Sequence, residues 1–308
     1  MSTVDLRARL KNVHAYPTTP FNHANLSELD EDGLRRNLEF LVHHGVRVIN
    51  AGGGTAEVEA LSPEELVMLV RTTFQVTAFH MTEGRSLVLP TLPGNLAVAL
   101  DLIPRYEELG AEVLLAMPPF IRNQVPGDLE GVANYLETLG AATRLPLIPY
   151  NTQGWPLEFF ERLSEIDSII AIKDPMHQPH VLFRAISRLG DRFVWIGNKR
   201  YDPAVLHYRY MSGIEGFTAG IINFAPAFEL DLHEAALASD WPRMEKIQLG
   251  LAGLDRLRTA YGDAVIKTGL DLVGLAGGRM RPPRLDLPQA VRDQVRSELL
   301  QLELEVIA

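Results

Sequence analysis

The sequence predicts a (β/α)8 TIM barrel with a C-terminal helical extension. Eight short apolar runs bounded by glycine, proline or asparagine alternate with amphipathic stretches along the chain. Eight such repeats in about 220 residues suit a closed barrel of parallel strands better than a doubly wound open sheet. Beyond residue 225 the pattern is helical throughout. We therefore expect the barrel strands and helices in 1–225, and the last barrel helix with the extension in 226–308.

The eight predicted strands follow one another at regular intervals. In order, they read VHAYPTTPF, VRVINAGGG, SLVLPTL, EVLLAMPP, PLIPYN, IIAIKD, RFVWIGN and IEGFTAG. The run Ile169–Ile172 is entirely apolar, as expected of a strand buried on both faces of a parallel sheet. The stretches between strands, such as DEDGLRRNLEFLVHHG and PHVLFRAISRLG, end in glycine, which commonly terminates a helix.

Composition restricts the classes of partner. The chain has 308 residues and a formal net charge of −10, and it lacks a basic cluster that could follow a nucleic-acid backbone. Its apolar runs are too short to cross a membrane, so we expect a cytoplasmic protein. The absence of cysteine excludes disulfides and thiolate chemistry. His177 and His180 are separated by a proline and lack an acidic partner at a suitable spacing, so we expect no metal.

Polar residues are concentrated where the predicted strands end. In a barrel these ends form one rim, and active sites are built there. The candidates, in strand order, are Thr18 and Thr19, Gly52–Glu57, Tyr150 and Asn151, Lys173 and Asp174, Gly197–Arg200, and Thr218–Asn223.

Each candidate has a structural and a chemical interpretation. Lys173 could simply extend to solvent, or it could be a nucleophile, because desolvation lowers the pKa of a lysine and increases the neutral fraction. Tyr150 could belong to the core or transfer protons. Gly53, Gly54 and Thr55 could form a flexible turn, or a nest of backbone N–H groups that binds a carboxylate.

Together these motifs resemble the dihydrodipicolinate synthase and N-acetylneuraminate lyase superfamily of class I aldolases. The similarity rests on Thr-Thr-Pro-Phe, Gly-Gly-Thr-x-Glu, Tyr-Asn and Ile-Lys-Asp at successive strand ends, and extends to PPFIRNQVPGDLEG, GFTAGIINFAP and GRMRPP. It implies that Lys173 is the Schiff-base lysine and Tyr150 the catalytic tyrosine. It assigns the carboxylate-binding turn to Gly53, Gly54 and Thr55. It also implies a homotetramer built as a dimer of dimers.

Several departures from the synthase pattern disfavour dihydrodipicolinate synthesis itself. Gly54 stands where the synthase has a second threonine, and Phe120 is the best match to its second tyrosine. Residues 152–155 replace the synthase arginine that follows Tyr-Asn. AGGGTAE and GFTAGIINFAPAF are more similar to the sugar-acid branch, especially the 5-dehydro-4-deoxyglucarate dehydratases, although Ala56 replaces a usual glycine.

We therefore expect a Schiff-base-forming lyase, either a dehydratase or an aldolase, that acts on a small 2-keto sugar acid. It needs no cofactor, because the protonated imine is the electron sink. Thr218, Lys199 and Arg200 are further candidate substrate contacts, although the last two could instead be a solvated pair. The alternatives are a pyruvate-condensing aldolase of a non-sugar aldehyde and a low-turnover barrel that binds or senses 2-keto acids.

Overall fold

The computed structural model describes residues 3–79, 86–120, 128–175, 178–199 and 205–307. Its strands are β1 (Val13–Ala15), β2 (Val48–Ala51), β3 (Leu87–Leu92), β4 (Leu114–Ala116), β5 (Leu147–Pro149), β6 (Ala171–Lys173), β7 (Val194–Asn198) and β8 (Gly216–Ala219). Its helices are α1 (Thr3–Leu10), α2 (Glu31–His43), α3 (Pro63–Phe79), α4 (Leu96–Glu108), α5 (Asp128–Ala141), α6 (Leu157–Ser164), α7 (Pro179–Leu189), α8 (Leu206–Met211), α9 (Pro226–Leu237), α10 (Trp241–Tyr261), α11 (Ala264–Leu272) and α12 (Gln289–Gln301).

The strands form a ring of parallel neighbours, which confirms the predicted barrel. The hydrogen-bonded order is β5-β4-β3-β2-β1-β8-β7-β6. Between β5 and β6 the ring is completed by isolated parallel bridges, Leu147 with Ile169 and Tyr150 with Lys173. The second bridge is reinforced by the backbone N–H of Asn151, which donates to the backbone carbonyl of Lys173 at 2.9 Å. The closure of the barrel therefore places the ends of β5 and β6 side by side.

Most strands are shorter than the apolar runs that predicted them. Of VHAYPTTPF, only Val13–Ala15 belongs to the strand: His14 and Ala15 pair with both neighbours, and Val13 pairs with β8. Pro17 and Pro20 lack the N–H that a central strand must donate, so the rest of this run forms the rim. Shortening the strands in this way leaves polar backbone and side chains free to build a site.

Two apolar layers stabilise the barrel. The larger layer lies between the strands and the surrounding helices, and the smaller one fills the interior with side chains such as Val48, Leu89, Ile148 and Ile196. Helix α1, which the sequence analysis did not identify, contributes Leu6 and Leu10 to the interior cluster. The amino-terminal end of the barrel is therefore closed, and a site can open only at the opposite rim.

Four helices, α9 to α12, follow β8. Helices α9 and α10 pack on each other, and α11 packs on both α10 and α12. The division at residue 225 stays a prediction. In the described part of the chain, no helix is both long and apolar enough to span a membrane.

Candidate active site

Lys173 is the last residue of β6, and its side chain enters a cavity of about 260 Å³ at the carboxyl-terminal rim. The residue is 5% exposed. Its Nζ lies 3.7 Å from the centroid of the Tyr16 ring and 3.9 Å from that of Tyr150. The structure therefore brings the predicted lysine and tyrosine together, although their catalytic roles stay predictions.

Tyr16 is a site residue that the sequence analysis missed. It follows β1 and lines the same cavity as Lys173 and Tyr150. Its hydroxyl is buried and has no hydrogen-bond partner among the described residues. Burial, and then the nearby Tyr150, raises the pKa of Tyr16 well above its usual value, so its hydroxyl stays protonated. In the sequence AYPTTPF, Tyr16 looks like one more apolar residue of the strand. Its place beside Lys173 becomes visible only when the barrel closes.

The glycine-rich turn after β2 contributes Gly54 and Thr55 to the cavity wall. Gly53 lies behind them: a Cβ there would fall 2.2 Å from Asn50 Oδ1 and 2.8 Å from Tyr16 Cδ1, so the position requires glycine. At Gly54, by contrast, a Cβ would meet nothing within 4 Å. Packing around a Cβ therefore does not require glycine at this position.

The loop after β5 is organised by an asparagine instead of presenting an arginine. Asn151 Oδ1 accepts hydrogen bonds from the amides of Gln153, Gly154 and Trp155, at 3.2, 3.0 and 3.2 Å. Its Nδ2 donates to Asp174 at 2.6 Å, which ties the end of β5 to the end of β6. Asp174 and Asn151 therefore position the neighbouring Lys173 and Tyr150.

Thr218 and Lys199 also line the cavity, in different environments. Thr218 Oγ1 donates to Asn198 Oδ1 at 3.0 Å. The ammonium of Lys199 is buried and lies 3.1 Å from Glu229 and 2.9 Å from Asp255. Burial alone would lower the pKa of Lys199, but these two carboxylates outweigh it and raise that pKa. A substrate contact at either residue stays a prediction, and Lys199 already has strong internal partners.

The remaining predicted positions are less directly placed. Arg200 and His177 lie outside the described residues. Phe120, which matches the second tyrosine of the synthase, is 89% exposed, so its ring lies outside the cavity. Across the described ranges, no three histidine, aspartate or glutamate side chains are grouped so as to hold a metal ion.

The site combines the groups that imine chemistry requires. A buried amine lies against two tyrosines, and the wall beside it carries a threonine hydroxyl and backbone of a glycine turn. Such an amine can attack a carbonyl, and phenols can donate and accept protons during the steps that follow.

Comparison with known proteins identifies relatives over almost the whole chain. A protein of Ralstonia nicotianae named "Probable 5-dehydro-4-deoxyglucarate dehydratase" is 30% identical over 284 residues, which cover 90% of this chain and 88% of the relative. A protein of the same name from Bacillus subtilis is 25% identical over 285 residues, covering 90% and 89%. The crystal structure of dihydrodipicolinate synthase from Bacillus clausii has a TM-score of 0.88 at 22% identity, covering 97% of this chain and all of that one.

The family assignment itself comes from the sequence of almost the whole chain. Residues 9–302 match the Dihydrodipicolinate synthetase family. The matched range contains all eight strands and every cavity residue named above. This chain therefore belongs to the dihydrodipicolinate synthetase family and is a class I lyase.

Proposed function

We propose that this chain is a Schiff-base-forming lyase that acts on a 2-keto sugar acid, with Lys173 as the nucleophile. The observation that carries the proposal is the position of Lys173 Nζ, buried between two tyrosine rings on the wall of a cavity. The names of the relatives support a sugar acid and favour dehydration over aldol cleavage. A glucarate derivative, for which they are named, carries a carboxylate at each end.

In this mechanism the neutral amine of Lys173 attacks the C2 carbonyl, and the resulting carbinolamine loses its oxygen as water to leave a protonated imine. The iminium nitrogen then accepts the electron pair released when C3 loses a proton. In dehydration this pair returns to form the C3–C4 double bond, and the C4 hydroxyl leaves with a proton as water. In aldol cleavage the C3–C4 bond breaks instead of the C3–H bond, and its electron pair passes to the iminium nitrogen. The C4 hydroxyl gives up its proton to become a carbonyl, and C3 then takes up a proton. In both reactions water hydrolyses the final imine and frees Lys173.

The tyrosines and the turn have separate roles in the proposal. Tyr150 moves protons during carbinolamine formation and bond cleavage. Tyr16, whose hydroxyl stays protonated, donates a hydrogen bond where the synthase would use hydroxyls that are missing at Gly54 and Phe120. The turn at Gly53–Thr55 holds the C1 carboxylate, with the Thr55 hydroxyl adding to the backbone donors.

The test is turnover over a panel of 2-keto-3-deoxy sugar acids, including 5-dehydro-4-deoxyglucarate, combined with borohydride trapping. We expect turnover of at least one member, and a pyruvate mass adduct on Lys173. Lys173→Ala and Lys173→Arg should both be inactive, because a guanidinium stays protonated and cannot form the imine. An adduct on Lys199, or no adduct with any 2-keto acid, would contradict the proposal.

The two alternatives give different results in the same experiments. A pyruvate-condensing aldolase would consume pyruvate with an aldehyde and leave the sugar acids unchanged. A low-turnover binding barrel, which the missing hydroxyls at Gly54 and Phe120 would suit, would form the adduct without turnover. We expect no efficient condensation with aspartate semialdehyde, since the loop at 152–155 offers it no arginine.

The assembly and the location of the protein are proposals of the same kind. We expect a cytoplasmic homotetramer, so light scattering should give four times the 34.3 kDa mass of one chain. The barrel alone does not decide this. A solved structure with a TM-score of 0.85 at 20% identity is that of a monomeric dihydrodipicolinate synthase variant. A monomeric mass would therefore rule out the tetramer and leave the fold unaffected.

A further inference from the structure

Two arginines stand on the cavity wall and are not used by the proposed mechanism. Arg258 belongs to the last turn of α10, and Arg284 lies in the segment between α11 and α12. Their side chains are 19% and 30% exposed. Both guanidinium groups share the carboxylate of Asp263, each at 3.3 Å from a different oxygen. Charge-assisted hydrogen bonds are usually about 2.7–2.9 Å long, so this shared contact is weak and a substrate anion could replace it. Arg284 also forms an ion pair with Glu59, so its guanidinium is more fully engaged than that of Arg258.

A third arginine nearby shows what a fully satisfied guanidinium looks like in this protein. Arg281 binds both oxygens of Glu65 at 2.9 Å and donates to the carbonyls of Ala60 and Leu26 at 2.7 and 2.9 Å. Arg258 has five N–H donors, and the described residues offer it a single hydrogen-bond acceptor, on Asp263. Arg258 therefore retains the capacity to bind a further anion.

The fold holds Arg258 at the barrel rim. A Cβ on Gly220, the residue after β8, would lie 2.5 Å from Arg258 Cζ, so the guanidinium packs directly on that backbone. It thereby lines the same cavity as Thr218 and Lys173. An anion bound by Arg258 and an imine formed on Lys173 would consequently occupy the same cavity.

Building on the proposed function, we propose that Arg258 binds a carboxylate at the far end of the substrate, with Arg284 beside it. The substrate class is then a 2-keto acid that carries a terminal carboxylate. Lys199 is less suited to this role. Its ammonium donates to the carboxylates of Glu229 and Asp255 through three short contacts, so it has no donor left for a further anion, whereas Arg258 uses one of its five within the described part of the chain. Asp263 holds the two guanidinium groups in place before the substrate arrives.

The test compares two six-carbon ligands that differ only at the far end, 2-oxoadipate and 2-oxohexanoate, with pyruvate as the short reference. Borohydride trapping on Lys173, quantified by intact mass, gives the half-saturating concentration of each. In the unaltered protein we expect 2-oxoadipate to saturate at about 10- to 100-fold lower concentration than 2-oxohexanoate, as for loss of a hydrogen bond to a charged group. Arg258→Gln should abolish that preference. It should leave the half-saturating concentration of pyruvate within about 2-fold of that in the unaltered protein.

The control is Arg256→Gln, which removes an exposed arginine from the same helix and should keep the preference. Arg258→Lys, which keeps the charge but not the planar fork, should retain part of it. The subsite is refuted if the unaltered protein does not prefer 2-oxoadipate or if Arg258→Gln keeps the preference. It is also refuted if Arg258→Gln raises the half-saturating concentration of pyruvate as much as that of 2-oxoadipate. Absence of any pyruvate adduct in the unaltered protein would instead remove the proposed function, and the subsite with it.

Discussion

The amine of Lys173 lies in an environment with two opposing effects. Burial at the end of β6 disfavours a charged ammonium, whereas the faces of Tyr16 and Tyr150, each within 4 Å of Nζ, favour a cation. In the proposed mechanism the same two rings would face the protonated imine, because its nitrogen is the Nζ atom itself. The rings would then stabilise the positive charge on which bond cleavage depends.

Removing the Tyr16 hydroxyl separates a catalytic role from a structural one. Tyr16→Phe keeps the ring against Lys173 and deletes a buried hydroxyl that has no partner among the described residues, so the melting temperature should be unchanged or higher. We expect kcat to fall about 10²-fold, and Tyr150→Phe to lower it by about 10²- to 10⁴-fold. A Tyr16→Phe protein with a higher melting temperature and native kcat would show that this hydroxyl takes no part in proton transfer.

At the scale of secondary structure, the turn after β2 depends on the segments around α11. Glu57 adopts φ 62°, in the left-handed region that a non-glycine residue enters at a cost of about 1–3 kcal/mol. Its carboxylate forms a buried ion pair with Lys267 at 2.6 Å and accepts from the Arg281 amide at 3.1 Å. Lys267 also donates to the Arg279 carbonyl at 2.7 Å. The turn that carries Gly54 and Thr55 is thus held by residues more than 200 positions later in the chain.

Breaking this ion pair should destabilise the protein more than removing both of its charges. Lys267→Met leaves the Glu57 carboxylate buried without its cation, which we expect to cost about 3–5 kcal/mol in the free energy of unfolding. The double variant Glu57→Gln, Lys267→Met should recover part of that loss, and urea denaturation of the three proteins measures both effects. Equal losses in the single and double variants would mean that the charge of Glu57 is already solvated or neutral.

At the scale of the whole molecule, the barrel interior contains a buried histidine below the site. His14 lies in β1, and its Nε2 donates to the Leu10 carbonyl at the end of α1, at 2.8 Å. Burial lowers the pKa of His14 from 6.5 to about 4, with smaller contributions in the same direction from Lys173 and His233. The folded barrel therefore contains a neutral imidazole throughout the physiological range.

This histidine should make the stability of the barrel depend on pH. The unfolded chain takes up a proton near pH 6.5 and the folded protein only near pH 4, so falling pH favours unfolding across that interval. The neutral state of His14 contributes fully to the free energy of unfolding above pH 6.5, and about 3 kcal/mol of that free energy should be lost by pH 4. His14→Gln retains an N–H donor and should flatten the profile measured by urea denaturation, whereas the exposed His43→Gln should not. If the free energy of unfolding of His14→Gln falls with pH as steeply as that of the unaltered protein, His14 is not the group responsible.

Much of this architecture was predictable because barrel strands and helices are encoded locally. Each strand is a short apolar run, and Lys173 could be placed at a strand end from the four apolar residues before it. The rim position of Tyr150 and the glycine turn followed from the same reasoning. The helix α1 was not predicted, since its eight residues carry only a weak apolar pattern and its burial depends on the open end of the barrel.

The tertiary structure alone decided which polar groups meet. Tyr16 becomes part of the site because the ring of strands closes, and Lys199 acquires its two carboxylates from α9 and α10, far along the chain. Arg258, near the end of a helical pattern, gave no local sign that it would reach the cavity of Lys173. The physical reason is that hydrophobic periodicity reports which face of an element is buried, whereas charge pairing and cavity lining depend on contacts between elements that are distant in sequence.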